Sequence, residues 1–149
     1  MIIHEFGLDD DNSALVADRF ADDALAILAK EVYGYREPWS DQALGEIATQ
    51  LGENAFLVAE MDCAVAGVLS YRVNSYGTVA HVDALATRHD LQRGRGVGST
   101  LMAELEETLV DRGVDLITLQ AKDASGSEDF YIKQGFSWIG VGNIYEKPL

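Results

Sequence analysis

A short run of glycines and arginines is the part of this chain whose residue types and spacing best suggest chemistry. It reads Arg93, Gly94, Arg95, Gly96, Val97 and Gly98, and an amphipathic pattern begins within it. A glycine turn that leads into a helix gathers backbone N–H groups around a point where an anion can bind, and the helix dipole favours negative charge there. The run therefore predicts a phosphate-binding turn at a helix N-terminus.

The sequence on either side of this run fits a strand, a turn and a helix. An apolar stretch ends at residues 82–86, and apolar side chains then recur every three to four residues from Val97 to Leu109. A nucleotide P-loop does not fit, because no Gly-Lys-Ser/Thr closes the run. A dinucleotide fingerprint fits poorly, because Thr100 stands where its third glycine belongs.

Two motifs in order resemble the GNAT superfamily of acyl-CoA N-acyltransferases. Arg93, Gly96 and Gly98 stand at the defining places of its Arg/Gln-x-x-Gly-x-Gly/Ala loop, and residues 130–136 are similar to its aromatic-Tyr-x-x-x-Gly-Phe segment. The likeness is close from about residue 55 onward and loose before it. It implies an α/β fold whose mixed, mostly antiparallel central sheet carries helices on both faces, with acetyl-CoA as the acyl donor and no metal.

The resemblance also implies which residues bind the donor and act on it. Backbone groups of Leu85, Ala86 and Thr87 would contact the pantetheine arm. The pyrophosphate would lie on Arg93, Gly94, Arg95, Gly96, Val97, Gly98 and Ser99. Tyr131 corresponds to the residue that protonates the leaving thiolate, and a phenol with an ordinary pKa near 10 carries its proton at pH 7.

The acceptor amine arrives protonated, so some group must take a proton before the amine attacks. Asp83 lies on the strand before the glycine run, and we expect it to act as the base through a water molecule. His81 would share its face of the sheet, since strand side chains alternate with period two. Either residue could instead be a polar strand residue that faces solvent or is paired structurally.

A weaker likeness concerns the branch that acetylates the N-terminal alanine of ribosomal proteins. Residues 38–40 and the helix after them resemble the corresponding segment of that branch. Its base is a glutamate on the strand at 114–121, where this chain has Gln120, whose amide cannot accept a proton at neutral pH. An asparagine that usually follows is replaced by Ala124 and Ser125. The acceptor is therefore predicted only as a primary amine, either a small cationic amine or a protein N-terminus.

Length and charge set the broad class of protein. The 149 residues fit a single GNAT domain over 1–149, and a hydrophobic fraction of 48% is typical of soluble globular proteins. The net charge of −14 argues against a nucleic-acid partner, charged tRNA included, because phosphates would be repelled. It favours a cationic substrate, or it reflects adaptation to salty surroundings, where charges are screened.

Location and partners follow from what the sequence contains. No run of 18 apolar residues and no signal-peptide pattern occurs, so we expect a cytoplasmic protein without a membrane partner. The single Cys63 cannot form an internal disulfide and is predicted to be an inert residue at a hairpin turn. The oligomeric state stays open, a homodimer included. The alternative to an enzyme is a catalytically inactive acyl-CoA-binding sensor or interaction domain.

Hydrophobic periodicity predicts the elements that must position these residues. Two helices precede residue 54, one stopping near Gly34 and one ending at 52–54. The remaining predictions are a strand at 2–6, a hairpin of 55–60 and 65–73, a strand at 78–86, a helix over 97–109 that Gly113 stops, a strand at 114–121, a helix over 125–134, and strands at 136–141 and 143–146.

Overall fold

A computed structural model of the chain describes residues 1–6, 27, 54–88, 96–121 and 127–149. The strands are β1 (Ile2–Phe6), β2 (Ala55–Met61), β3 (Ala64–Val73), β4 (Val79–Thr87), β5 (Leu116–Gln120), β6 (Ser137–Trp138) and β7 (Ile144–Pro148), and the helices are α1 (Val97–Asp111) and α2 (Ser127–Lys133). Both helices predicted before residue 54 lie outside the described residues, apart from Ile27, which is helical and buried.

The seven strands form a mixed sheet in the order β1-β2-β3-β4-β5-β7-β6. β4 and β5 run parallel, whereas β1 and β2, β5 and β7, and β6 and β7 pair antiparallel. Because a parallel pair needs a long crossover between its strands, α1 lies between β4 and β5 in the sequence. The predicted fold class, an α/β fold with a mostly antiparallel sheet, is confirmed.

The chain divides into two compact units, and the division falls inside β3, β4 and α1. The first unit is Met1–Ser70 with Ala84–Leu101, and the second is Tyr71–Asp83 with Met102–Leu149. The single domain expected over residues 1–149 stays a prediction.

In the first unit, β2 and most of β3 are buried without a break. Residues 55–59 and 65–70 are all buried, and such continuous apolar runs are typical of strands covered on both faces. Asp62 and Cys63 join the two strands with φ angles of 54° and 63°, which fits a two-residue type I′ turn. Cys63 lies at this turn, as predicted, and is exposed there.

In the second unit, the later part of α1 packs with fully buried Met102, Leu105 and Leu109. The helix ends at Asp111, and Gly113 follows in the left-handed conformation with φ +78°. The Gly113 N–H donates to the Val110 carbonyl, and the Val114 N–H donates to the Leu109 carbonyl. This pair of bonds is a Schellman motif, so the predicted stop at Gly113 is confirmed.

The last strands differ from the sequence prediction. The strand expected over 136–141 is limited to Ser137–Trp138, and the next one runs over Ile144–Pro148. Gly140 and Gly142 have φ angles of +89° and +50°, values incompatible with an extended strand. The Trp138 indole N–H donates to the Gly142 carbonyl at 2.8 Å and closes the turn. Residues 139–143 are therefore a loop.

Candidate functional site

α1 begins directly after a glycine whose backbone conformation suits that residue type. Gly96 has a φ of +69°, and its carbonyl accepts the first helical hydrogen bond from the Thr100 N–H at 2.9 Å. The Thr100 hydroxyl donates to the same carbonyl at 2.9 Å. The N–H groups of Val97 and Gly98 precede that bond, so the helix ladder offers them no acceptor. These two groups can donate to an anion, as the glycine run suggests.

The sequence around this helix start has a local charge opposite to that of the whole chain. Residues 91–103 contain no Asp or Glu and two arginines, although the chain carries a net charge of −14. The first turn of α1 has no acidic residue, and Ser99 is exposed there. A carboxylate at this position would compete with a bound phosphate for the helix dipole. The predicted contributions of Arg93, Gly94 and Arg95 fall outside the described residues.

Gly67 on β3 lets the start of α1 lie directly against the sheet. A Cβ at this position would lie 2.8 Å from Val97 Cγ1, 3.0 Å from Leu101 Cδ1 and 3.2 Å from the Ala86 carbonyl oxygen. Real Cβ atoms essentially never make a contact as short as 2.8 Å, so a side chain at this position would force a neighbour to shift. The missing side chain therefore allows the start of α1 to approach β3 and β4 closely. Gly67 was not predicted as a site residue, and its only signal in the sequence is a lone glycine inside a strand pattern.

The later part of β4 carries the residues expected to contact pantetheine. Ala86 is buried, whereas Leu85 and Thr87 are half-buried, so side chains alternate along the strand. The parallel ladder between β4 and β5 runs from Val79↔Leu116 to Val82↔Leu119. β4 continues beyond this ladder to Thr87. Contact of Leu85, Ala86 and Thr87 with the donor stays a prediction.

Tyr131 lies at the C-terminal end of α2, inside a second Schellman motif. The Phe136 N–H donates to the Tyr131 carbonyl at 3.0 Å, and the Gly135 N–H donates to the Ile132 carbonyl at 3.0 Å. Gly135 has the required left-handed conformation, with φ +95°. The motif characteristically brings together the side chains at its two ends, here Tyr131 and Phe136. The spacing Tyr-x-x-x-Gly-Phe is thus a helix C-cap that holds the tyrosine.

The phenol of Tyr131 sits among aromatic rings. Its ring makes edge-to-face contacts with Phe130 and Phe136, with centroids 5.3 Å and 5.8 Å apart. The side chain is buried, and this burial raises the pKa of Tyr131 to about 12. The hydroxyl therefore keeps its proton throughout the physiological range. It can donate a hydrogen bond or a proton but cannot act as a base there.

Asp83 and His81 lie on one face of β4, as the alternation predicts. Asp83 Oδ2 is 3.3 Å from Arg72 Nε, and its Oδ1 is 3.8 Å from His81 Nε2. His81 Nδ1 is 2.8 Å from the Thr118 hydroxyl on β5. The arrangement is a row of polar side chains across β3, β4 and β5. Asp83 is thus paired with Arg72, which was one of the two alternatives for this residue. The role of Asp83 as a base stays a prediction.

The described residues contain neither a cluster of metal ligands nor a membrane-spanning helix. Within residues 1–6, 27, 54–88, 96–121 and 127–149, no group of three or more His, Cys, Asp or Glu side chains could hold a metal ion. None of the helices in that part of the chain is long and apolar enough to cross a membrane.

Comparison with known families and structures agrees with this architecture. Residues 22–136 match the model of the acetyltransferase (GNAT) family. Among solved structures, an aminoglycoside 6'-acetyltransferase type Ii is 20% identical with a TM-score of 0.73, covering 99% of this chain and 97% of its own. None of the curated proteins matches the sequence significantly.

Two further structures from Thermoplasma species are similar over nearly the full length. Ard1 from Thermoplasma volcanium is 19% identical with a TM-score of 0.69, covering 99% of this chain and 97% of its own. The paia N-acetyltransferase from Thermoplasma acidophilum, in complex with coenzyme A, is 18% identical with a TM-score of 0.65 and covers 100% of both chains. At such identities the likeness concerns the fold.

Proposed function

The chain belongs to the GNAT family of acetyltransferases, and from this premise we propose that it transfers an acetyl group from acetyl-CoA to a primary amine. The amine attacks the thioester directly in a ternary complex, without a covalent enzyme intermediate. The observation that carries the proposal is Tyr131, a buried phenol that is held by a helix C-cap and protonated at any physiological pH.

The pyrophosphate of CoA is assigned to the start of α1. The N–H groups of Val97 and Gly98, the helix dipole and the stretch of sequence without acidic residues all favour an anion there. Arg93 and Arg95 add positive charge close by in the sequence. A structurally similar N-acetyltransferase from Thermoplasma acidophilum was solved with coenzyme A, which supports the choice of ligand.

The pantetheine arm is assigned to β4 at residues 85–87. These residues lie past the last β4–β5 pair, Val82↔Leu119. An extended ligand with amide groups can add to a strand at such a place through main-chain hydrogen bonds. The thioester would then lie alongside this part of β4.

The chemical step needs one proton removed and one supplied. The amine loses a proton to a base, and its nitrogen lone pair attacks the thioester carbonyl carbon. The tetrahedral intermediate then collapses, the C–S bond breaks, and the electron pair goes to sulfur. Tyr131 donates to this sulfur as negative charge develops, so that the products are the amide and the free thiol of CoA. The phenol afterwards recovers its proton from solvent.

Asp83 is the proposed base, acting through water. Arg72 holds the carboxylate at 3.3 Å, and His81 lies 3.8 Å from its other oxygen. The carboxylate side chain is still 19% exposed, so a water molecule can reach it. His81, which is half-buried beside Thr118, is the second candidate, because an imidazole nitrogen can accept a proton.

The acceptor is proposed to be a small cationic amine or a protein N-terminus. A net charge of −14 attracts cations to the protein and raises their local concentration. One structurally similar enzyme is named for an aminoglycoside acceptor. Amine-dependent release of the CoA thiol, followed over a panel of diamines, aminoglycosides and peptides with free N-termini, tests the function. Acetylated product identified by mass completes the test.

The alternative is an acyl-CoA-binding sensor domain without transferase activity. The observation in its favour is the engagement of Asp83 by Arg72, which stabilises the carboxylate as a structural ion pair. Gln120, exposed at the end of β5, adds no base. Tight CoA binding without thiol release on the whole panel would favour the sensor. Thiol release that needs an amine and is lost in Tyr131→Phe would favour the enzyme.

A further inference from the structure

We propose that Lys147 and Glu106 are positioning residues for Tyr131, fixing the C-terminal end of α2 so that the phenol is held in place. This inference rests on the proposed function, in which Tyr131 is the acid. All three residues belong to the second compact unit.

Lys147 joins three elements of this unit. It lies on β7, and its Nζ donates to Glu106 Oε1 on α1 at 2.5 Å and to the Gln134 carbonyl at 2.7 Å. Gln134 is the residue that caps α2, and its carbonyl is one of those that the helix itself leaves without an intrahelical donor. A charged donor makes a stronger hydrogen bond to such a carbonyl than a neutral one.

The lysine reaches this carbonyl by passing over Gly135. A Cβ at Gly135 would lie 3.1 Å from Lys147 Cε and 3.3 Å from Nζ. Gly135 therefore serves two purposes: its φ of +95° allows the Schellman motif, and its missing side chain leaves room for the lysine. The C-cap and the ion pair depend on the same residue.

The path from this ion pair to the phenol is short. The N–H of Gln134 donates to the Tyr131 carbonyl at 3.1 Å, and so does the N–H of Phe136 at 3.0 Å. Lys147 thus holds the carbonyl of Gln134, and the N–H of the same residue is bonded to the backbone of Tyr131. Phe136 also supports the ring of Tyr131 at 5.8 Å. Movement of the cap would carry both the backbone and the ring support of Tyr131 with it.

The partial exposure of the Lys147–Glu106 ion pair fits a role in positioning Tyr131 better than a role in global stability. The side chains of Lys147 and Glu106 are 25% and 26% exposed, and ion pairs of this kind contribute little to global stability. A displacement of about 1 Å at a catalytic group can nevertheless slow a reaction by about a hundredfold. We therefore expect a larger effect on turnover than on folding.

The test combines a double-mutant cycle with amide exchange on the full chain. Lys147→Met keeps the stem and removes the charge, and Lys133→Met is the matched control, because Lys133 is exposed on the last turn of α2. We expect Lys147→Met to lower kcat by about 10-fold to 100-fold in the wild-type background and to change it little in the Tyr131→Phe background. We also expect faster exchange of the Gln134, Gly135 and Phe136 amides than in Lys133→Met.

Equal losses of kcat in both backgrounds, or cap amides that exchange at the wild-type rate, would overturn the proposal. A wild-type protein without amine-dependent thiol release would instead contradict the proposed function. Amide exchange alone would then decide the positioning claim, with faster exchange in Lys147→Met supporting it and unchanged exchange rejecting it.

Discussion

Phe136 contacts Tyr131 twice, once through the backbone and once through the ring. Its N–H donates to the Tyr131 carbonyl at 3.0 Å, and its ring lies edge-to-face on the phenol with centroids 5.8 Å apart. Both contacts come from the same Schellman motif, which needs a left-handed residue at position 135. The placement of the proposed acid is therefore a property of the helix end.

Gly135→Ala should be more damaging than the same substitution at a left-handed glycine that has open space around it. The alanine has to adopt φ +95° and meets Lys147 at 3.1 Å, whereas Gly140→Ala at φ +89° meets no heavy atom of the described residues within 4 Å. The left-handed conformation costs each about 1–2 kcal/mol. We expect a larger drop in Tm and in kcat for Gly135→Ala, measured by thermal unfolding and thiol release. Equal effects of the two variants would show that the contact with Lys147 is unimportant.

Gly67→Ala should weaken CoA binding. The new Cβ would lie 2.8 Å from Val97 Cγ1 and 3.2 Å from the Ala86 carbonyl oxygen, so the start of α1 or β4 must shift. Overpacking of this kind costs about 1–3 kcal/mol. We expect a higher Kd for CoA by calorimetry, with Gly77→Ala as the control in a turn of the second unit. A Kd unchanged by Gly67→Ala would remove α1 from the CoA site.

Activity should rise with pH and not fall again below about pH 10. The acceptor amine and the base must both be deprotonated, so kcat/KM increases as pH rises. Burial keeps the pKa of Tyr131 at about 12, so the phenol still carries its proton at pH 10. The measurement is kcat/KM from pH 6 to pH 10 with a stable amine. A descending limb near pH 8 that disappears in Tyr131→Phe would contradict a phenol with so high a pKa.

Asp83→Asn and Arg72→Met should separate a base from a structural ion pair. Removing a general base costs about 10²-fold to 10⁴-fold in rate, so Asp83→Asn should lower kcat by that amount at pH 7. Arg72 is 63% exposed, and its loss leaves the carboxylate in place, so we expect kcat within a few-fold of wild type. If both variants lose activity equally, the pair is structural and His81 becomes the candidate base, tested by His81→Gln.

Local signals in the sequence predicted much of the fold. The β2–β3 hairpin, the helix after Gly96 and the stop at Gly113 are set by periodicity and turn residues, and the structure has them within a few residues. The strand expected over 136–141 was wrong, because alternating apolar residues outweighed the glycines at 140 and 142. These glycines adopt positive φ angles that end the strand.

The site was predictable only where it depends on neighbours in sequence. The glycine run and Tyr131 carry recognisable spacing, and the pairing of Tyr131 with Phe136 follows from a helix C-cap whose two ends stand five positions apart. Gly67 and Lys147 carry no such spacing. Gly67 meets α1 about thirty residues on, and Lys147 meets Glu106 at a separation of 41 residues. Contacts across such separations arise from the tertiary fold.

The most direct test of the account is turnover by Tyr131→Phe at saturating acetyl-CoA and amine. The change removes one hydroxyl and leaves the ring, so we expect kcat to fall by about 10²-fold to 10⁴-fold while the Kd for CoA stays within about twofold. Tyr76→Phe, at a side chain that is 87% exposed, is the control and should retain wild-type kcat. A Tyr131→Phe protein that turns over at the wild-type rate would contradict the assignment of the phenol as the acid.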